Sequence, residues 1–207
     1  KTAEQNNAQQ AEQNNNQSSI APTINQPLII KKVTREEAIN KNKRIKIENE
    51  NVIGSLSLEG ALIDDISFKK HKQKVVDGKN TVFLYPSDTE NGFFIETGWT
   101  SIGNKIKVPS NNSVWTVKGN NTLTEKSPVI IQWDNKEGIV FEKKIELDDK
   151  YLFKISQQVK NNTNSTVELF PYAQMTRNKI PEDIQNFYIQ HEGFIGVFDE
   201  ELKEDDY

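Results

Sequence analysis

From Arg44 onward, large apolar residues alternate with polar ones, as at Ile45 and Ile47 and again at Leu56 and Leu58. Successive side chains of a strand point to opposite faces, so a period of two buries one set and leaves the other in water. Similar short apolar, β-branched or aromatic segments recur as LIDDISFKK, TVFLY, GFFIET, SVWTVK, PVIIQW, GIVFEKKIEL, YLFKISQQVK, TVELFPYAQMT, NFYIQ and FIGVF. Turn clusters such as Asp134-Asn135-Lys136-Glu137-Gly138, Asp148-Asp149-Lys150 and Asn161-Asn162-Thr163-Asn164 separate them. Short strands at roughly 8–12-residue spacing, with no long helical pattern between them, predict a mainly β chain folded as an antiparallel sandwich or barrel.

The meander from Pro128 to Leu169 is the clearest part. Ile139, Phe141 and Lys143 fall on one face while Val140, Glu142 and Lys144 fall on the other, and Tyr151, Phe153 and Ile155 repeat the alternation. An antiparallel sheet with one apolar face needs a second sheet against it.

The beginning of the chain differs. Asn and Gln take 12 of the first 27 positions, and Ile20 and Ile24 are the only large apolar residues there. Such a segment cannot bury enough surface to offset its ordering entropy, which predicts a disordered polar linker stiffened by Pro22 and Pro27. Thr34 followed by Glu37 is a helix-start signature, but the apolar spacing fails after Ile39. The expected organisation is a linker with a short helix over 1–43 and one β domain over 44–207. Asparagine recurs in ENENV, PSNNS, KGNNT and KNNTNST beside many Lys and Ile, which reads as compositional bias.

A formal charge of −4 is spread with mixed signs, without the basic patch or stripe of a nucleic-acid surface. The run DEELKEDD, Asp199 to Asp206, reads as a solvated helix or turn. The absence of cysteine excludes disulfides, thiolate catalysis and Cys-based zinc sites. No window of about 18 apolar residues exists, so neither a spanning helix nor a signal segment is expected. The start at Lys1 reads as an excised piece, leaving room for a membrane anchor upstream.

Candidate chemistry is sparse. His191 and Glu192 adjoin in YIQHEGFIGV, but consecutive residues of a strand face apart, so the pair does not converge on one reacting group. His71 in FKKHKQK reads as a surface histidine. Carboxylates pair at Asp64-Asp65, Asp148-Asp149 and Glu182-Asp183, and two of these pairs fall in turns where Asp bonds its own backbone. GxSxG, HExxH and a phosphate-binding glycine loop are all missing. No catalytic residue, cofactor or metal site is therefore predicted. Glycosylation-acceptor matches, among them those at Asn120, Asn161 and Asn164, are what an Asn-rich chain produces by chance. Trp99 and Trp115 are either stacking platforms in a cleft or core residues, the commoner fate.

The block ENVIGSLSLEGALIDDISFKKHKQ resembles the start of the large periplasmic domain of YidC-type membrane protein insertases of the alphaproteobacterial kind. VFLYPSDTENGFFIETGW, NNSVWTVKGNNTLTEKSPVIIQWDNKEGIVFEKKIELDDKYLF, LFPYAQMTRNKIP and YIQHEGFIGVFDEELKEDDY follow in the same order, and with TREEAI the resemblance covers about residues 33–207. It implies a β-supersandwich resembling the galactose mutarotase fold. The family places it at the periplasmic face of the Gram-negative inner membrane, between an amino-terminal anchor with a polar tether and the bundle of membrane helices that performs insertion. The implied role is noncatalytic and chaperone-like, with SecDF, SecYEG and nascent membrane proteins as partners. Within the matched blocks Gly54, Gly60, Asp64, Asp65, His191, Glu192 and Gly193 are expected to be structural, Gly193 supplying a turn or bulge. The short helices that close the family's domain are expected beyond Tyr207. The alternative is a carbohydrate-binding or mutarotase-like epimerase domain, which would need Trp99 or Trp115 to meet a histidine and a carboxylate in a cleft.

Overall fold

A computed structural model describes residues 33–73, 78–180, 191 and 193–206. Residues 1–32 of the predicted linker 1–43, the Glu182-Asp183 pair, the NFYIQ segment and Glu192 lie outside the described residues. The first element is the short helix α1 (Arg35–Lys41), closed by the capping box read from the sequence. Thr34 Oγ1 accepts from Glu37 N, and the Glu37 carboxylate accepts from Thr34 N. Those bonds satisfy backbone groups that a helix N-terminus otherwise leaves open, and they hold the Glu37 carboxyl below its usual pKa.

The strands follow in order as β1 (Arg44–Glu48), β2 (Val52–Ser57), β3 (Ile63–Lys72), β4 (Asn80–Leu84), β5 (Phe93–Thr100), β6 (Thr116–Lys118), β7 (Thr122–Leu123), β8 (Val129–Asp134), β9 (Ile139–Leu147), β10 (Phe153–Asn161), β11 (Phe170–Arg177), β12 (Gly193–Phe198) and β13 (Glu201–Asp206). One sheet runs β11-β5-β3-β2-β1-β7 with β4 beside β3; a second runs β10-β9-β8-β6; β12 and β13 form a hairpin. Pairing is antiparallel except for the short β1–β7 contact.

The two sheets bury their apolar faces against each other. Ile45, Ile47, Leu56 and Ile63 from the first meet Ile131, Phe141, Ile145 and Leu147 from the second, and Trp99 packs 5.1 Å from Phe141. Along β9 every second residue from Ile139 to Leu147 is buried, as the alternation predicts. The fold is mainly β, with antiparallel sheets.

Three expectations need correction. DEELKEDD is neither helix nor turn along its length: Glu201–Asp206 is strand β13, paired with β12 across a two-residue turn in which Asp199 and Glu200 both take left-handed φ values of 51° and 68°. Glycine or asparagine favours that turn geometry, so its composition hid it. Gly193 does not form a turn or bulge. It opens β12, and a Cβ there would collide with Asp205 O of the paired strand, so close backbone approach is what requires glycine.

The third correction concerns asparagine. Asn49 and Asn51, in ENENV, are buried. Asn49 Oδ1 accepts from Asn51 N and Val52 N at 2.7 Å each, while its Nδ2 donates to Asp148 O and Lys150 O at 2.9 and 3.0 Å. Asn51 Nδ2 adds a bond to Asp149 O at 2.7 Å. Together they tie the β1–β2 turn to the β9–β10 turn, joining the ends of the two sheets. Asn135 and Asn178 hold other turns by the same means. A carboxamide presents donors and an acceptor at once, which is why the residue recurs where loop backbone must be satisfied.

Candidate functional site

The strongest concentration of buried charge lies on the face of the larger sheet that turns away from the sandwich core. β2 and β3 pair with a register shift at Ser55/Leu56, opposite Asp64 and Asp65. The extra residue of a β-bulge lets neighbouring side chains escape strict alternation. Both carboxylates are therefore buried on one polar network. Asp65 is paired with Arg35 of α1 and accepts from Ser55 Oγ at 2.6 Å; Asp64 is paired with Arg44, whose Nε donates to Ser55 Oγ at 2.7 Å. Burial raises the Asp64 carboxyl above its usual pKa against the opposing pull of Arg44. Gly54 makes this possible: a Cβ there would collide with Asp65 O.

Beside this network a polar cleft of about 160 Å³ opens between α1, the 57–64 segment, the 86–88 turn and Asn111-Asn112. Its walls are fixed. Gly60 takes a left-handed φ of 73°, donates to Ser113 O, and would meet Asn111 O at 2.8 Å if it carried a Cβ. Asn178 Nδ2 holds Ser87 O and Thr89 O. Across the mouth, Lys41 Nζ reaches Asp88 Oδ2 at 2.6 Å through exposed side chains. Sequence reasoning placed Gly60, Asp64 and Asp65 in one matched block but could not see the cleft, because Asp88, Asn111 and α1 join it from distant segments.

The tryptophans sit elsewhere. Trp99 and Trp115 are 5% and 2% exposed, stacked 6.5 Å apart within the sandwich core. They are core residues and offer no exposed stacking platform. Lys143 joins them, 2% exposed: its ammonium donates to Thr97 O of the opposite sheet and lies over the Trp115 ring, and burial lowers its pKa to about 8. The two-residue alternation put Lys143 on the apolar face without showing that it stays there.

His71 is exposed, edge-on to Phe68 at 5.7 Å and 3.4 Å from the Tyr151 hydroxyl. His191 precedes β12, its Nε2 3.2 Å from Phe194 O and its Nδ1 3.4 Å from Asp206, so it braces the hairpin. Asp148 Oδ1 accepts from Lys150 N and Leu152 N, the backbone-bonding role expected of a turn aspartate. Among the described residues no group of three or more histidines and carboxylates could hold a metal ion, and no helix is long and apolar enough to cross a membrane.

The described residues form a mainly β domain in which the buried carboxylates Asp64 and Asp65 are paired with Arg44 and Arg35. The sequence comparisons give the family. The YidC periplasmic domain profile matches residues 44–207. The chain is 40% identical to the membrane protein insertase YidC of Pelagibacter ubique over its whole length, 39% to that of Brucella suis over 80% of it, and 37% to that of Bradyrhizobium diazoefficiens over 81% of it. The chain belongs to the YidC periplasmic domain family of membrane protein insertases. It spans 36% of the Pelagibacter protein and 27% of each of the other two.

Proposed function

We propose that this chain is the noncatalytic accessory part of a membrane protein insertase, acting at the periplasmic face of the inner membrane. Its whole-chain identity of 40% to an insertase carries the reading. In that role residues 44–207 form the β domain, a β-supersandwich of the galactose mutarotase type, and residues 1–43 tether it. Partners are Sec translocon components of the SecDF and SecYEG kind and incoming membrane polypeptide, met through a sheet edge or cleft rather than through chemistry. Strand edges and backbone-binding clefts suit such clients because they make little demand on sequence.

The test compares the full-length insertase with a version lacking residues 44–207, in proteoliposomes with and without the translocon. Deletion is expected to lower translocon-dependent insertion and to spare independent insertion. Insertion by the isolated chain, or an unchanged rate after deletion in both settings, would contradict the accessory role.

A further inference from the structure

We infer that the cleft between α1 and the 86–88 turn is a docking site for one or two residues of an extended polypeptide, held through its main-chain amides with a basic side chain beside Glu59. This rests on the polypeptide-contacting role proposed above and assigns it a place. A volume of about 160 Å³ accommodates a short stretch of chain and little more. The lining includes Asn42, Asn111 and Asn112, whose carboxamides make no hydrogen bond to protein among the described residues. Each carboxamide offers both donors and an acceptor, the complement of a peptide unit's C=O and N–H.

Charge selects the side chain. The cleft holds three carboxylates, at Glu59, Asp64 and Asp88, against two cations. Arg44 is taken by Asp64 and Lys41 by Asp88; Glu59 acts on Lys41 only through space and makes no contact ion pair among the described residues. A basic residue entering the cleft meets that carboxylate. The site is also built in advance, because pinned turns on both walls need not be ordered on binding. Ala61 completes the turn beside Glu59 with a left-handed φ of 54°, a conformation that a residue bearing a Cβ holds only where its surroundings impose it. The Lys41–Asp88 pair across the mouth is exposed, and such pairs contribute little, so it opens readily.

The experiment titrates isotope-labelled chain with acetyl-Ala-Lys-Ala-amide and follows the side-chain amide signals of Asn42, Asn111 and Asn112 by NMR. Saturable shifts at roughly millimolar peptide are expected, about tenfold weaker for acetyl-Ala-Glu-Ala-amide. The Asn111→Ala, Asn112→Ala double variant should lose about tenfold in affinity, and Glu59→Gln should erase the preference for lysine while its backbone spectrum stays that of the folded chain. No saturable shift, equal affinity in the double variant, or saturation of the same signals by glucose instead of peptide would each overturn the site. Full-length insertase carrying the double substitution separates the two ideas: normal translocon-dependent insertion without a peptide shift removes the cleft and leaves the accessory role standing.

Discussion

The Lys143 ammonium lies 4.8 Å from the centroid of the Trp115 ring and donates to Thr97 O, so a positive charge is held between the two sheets. The ring face and the carbonyl replace part of its lost hydration. They do not replace all of it, and the pKa falls from 10.5 to about 8.

Stability should therefore depend on pH through this residue. The unfolded chain keeps the Lys143 proton up to about pH 10.5 while the folded chain releases it near pH 8, so the lysine costs stability below pH 8 and the cost fades as pH rises between the two values. A depression of this size is worth on the order of 3 kcal/mol. Lys143→Met removes that cost but leaves Thr97 O unpaired, for a net gain of about 1–2 kcal/mol at pH 7. Urea melts at pH 7 and pH 9.5 check it: the gain should shrink at the higher pH, and a pH-independent difference would contradict it.

Removing one partner of a buried pair is worse than removing both. Arg44→Met leaves the Asp64 carboxylate buried beside Asp65 and should cost about 3 kcal/mol at pH 7. Burial already raises the Asp64 pKa against the pull of Arg44, and removing Arg44 takes away that opposing pull. The loss should consequently be smaller near pH 4. Arg35→Met, whose side chain is 28% exposed, should cost less than Arg44→Met. Paired thermal melts of the two variants at both pH values decide the order.

Asn49→Ala deletes two accepted and two donated bonds at a buried turn, with an expected loss of about 2–3 kcal/mol. Asn162→Ala, at an exposed position, should change stability by less than about 0.5 kcal/mol. Similar denaturation midpoints for the two variants would deny the clamp.

His191→Ala should weaken the β12–β13 hairpin before it affects any partner. Amide exchange in residues 193–206 is expected to speed up, with about 1 kcal/mol lost overall. Loss of translocon binding with unchanged exchange would place His191 in an interface instead.

Where the sequence could be read, one physical signal carried the reading. The alternation on β9 and the Thr34–Glu37 capping box are local, and both reappear as expected. What stayed hidden depends on segments far apart. Asn49 looks like compositional bias until Asp148 and Lys150 arrive beside it, and Asp64-Asp65 resembles any acidic pair until the bulge and two arginines from separate elements enclose it. Trp99 and Trp115 could not be assigned from composition, since a large aromatic serves a cleft as well as a core, and only the opposing sheet decides. The matched blocks located Gly54 and Gly193 without their reason, which is a collision with a backbone carbonyl on the neighbouring strand.

The asparagine clamp also sets a clock. Its bonds join residues 98 to 101 positions apart, so the first sheet cannot be locked to the second until the chain has been made as far as Lys150. At ribosomal speeds of about 5–20 residues per second, that interval lasts on the order of 5–20 seconds, far longer than a hairpin needs to form. For most of it Ile45, Ile47 and Leu56 lack the strands β8 and β9 that cover them. A chain delivered end first must spend that time with its future core uncovered, and whatever holds it meanwhile acts as its nursery.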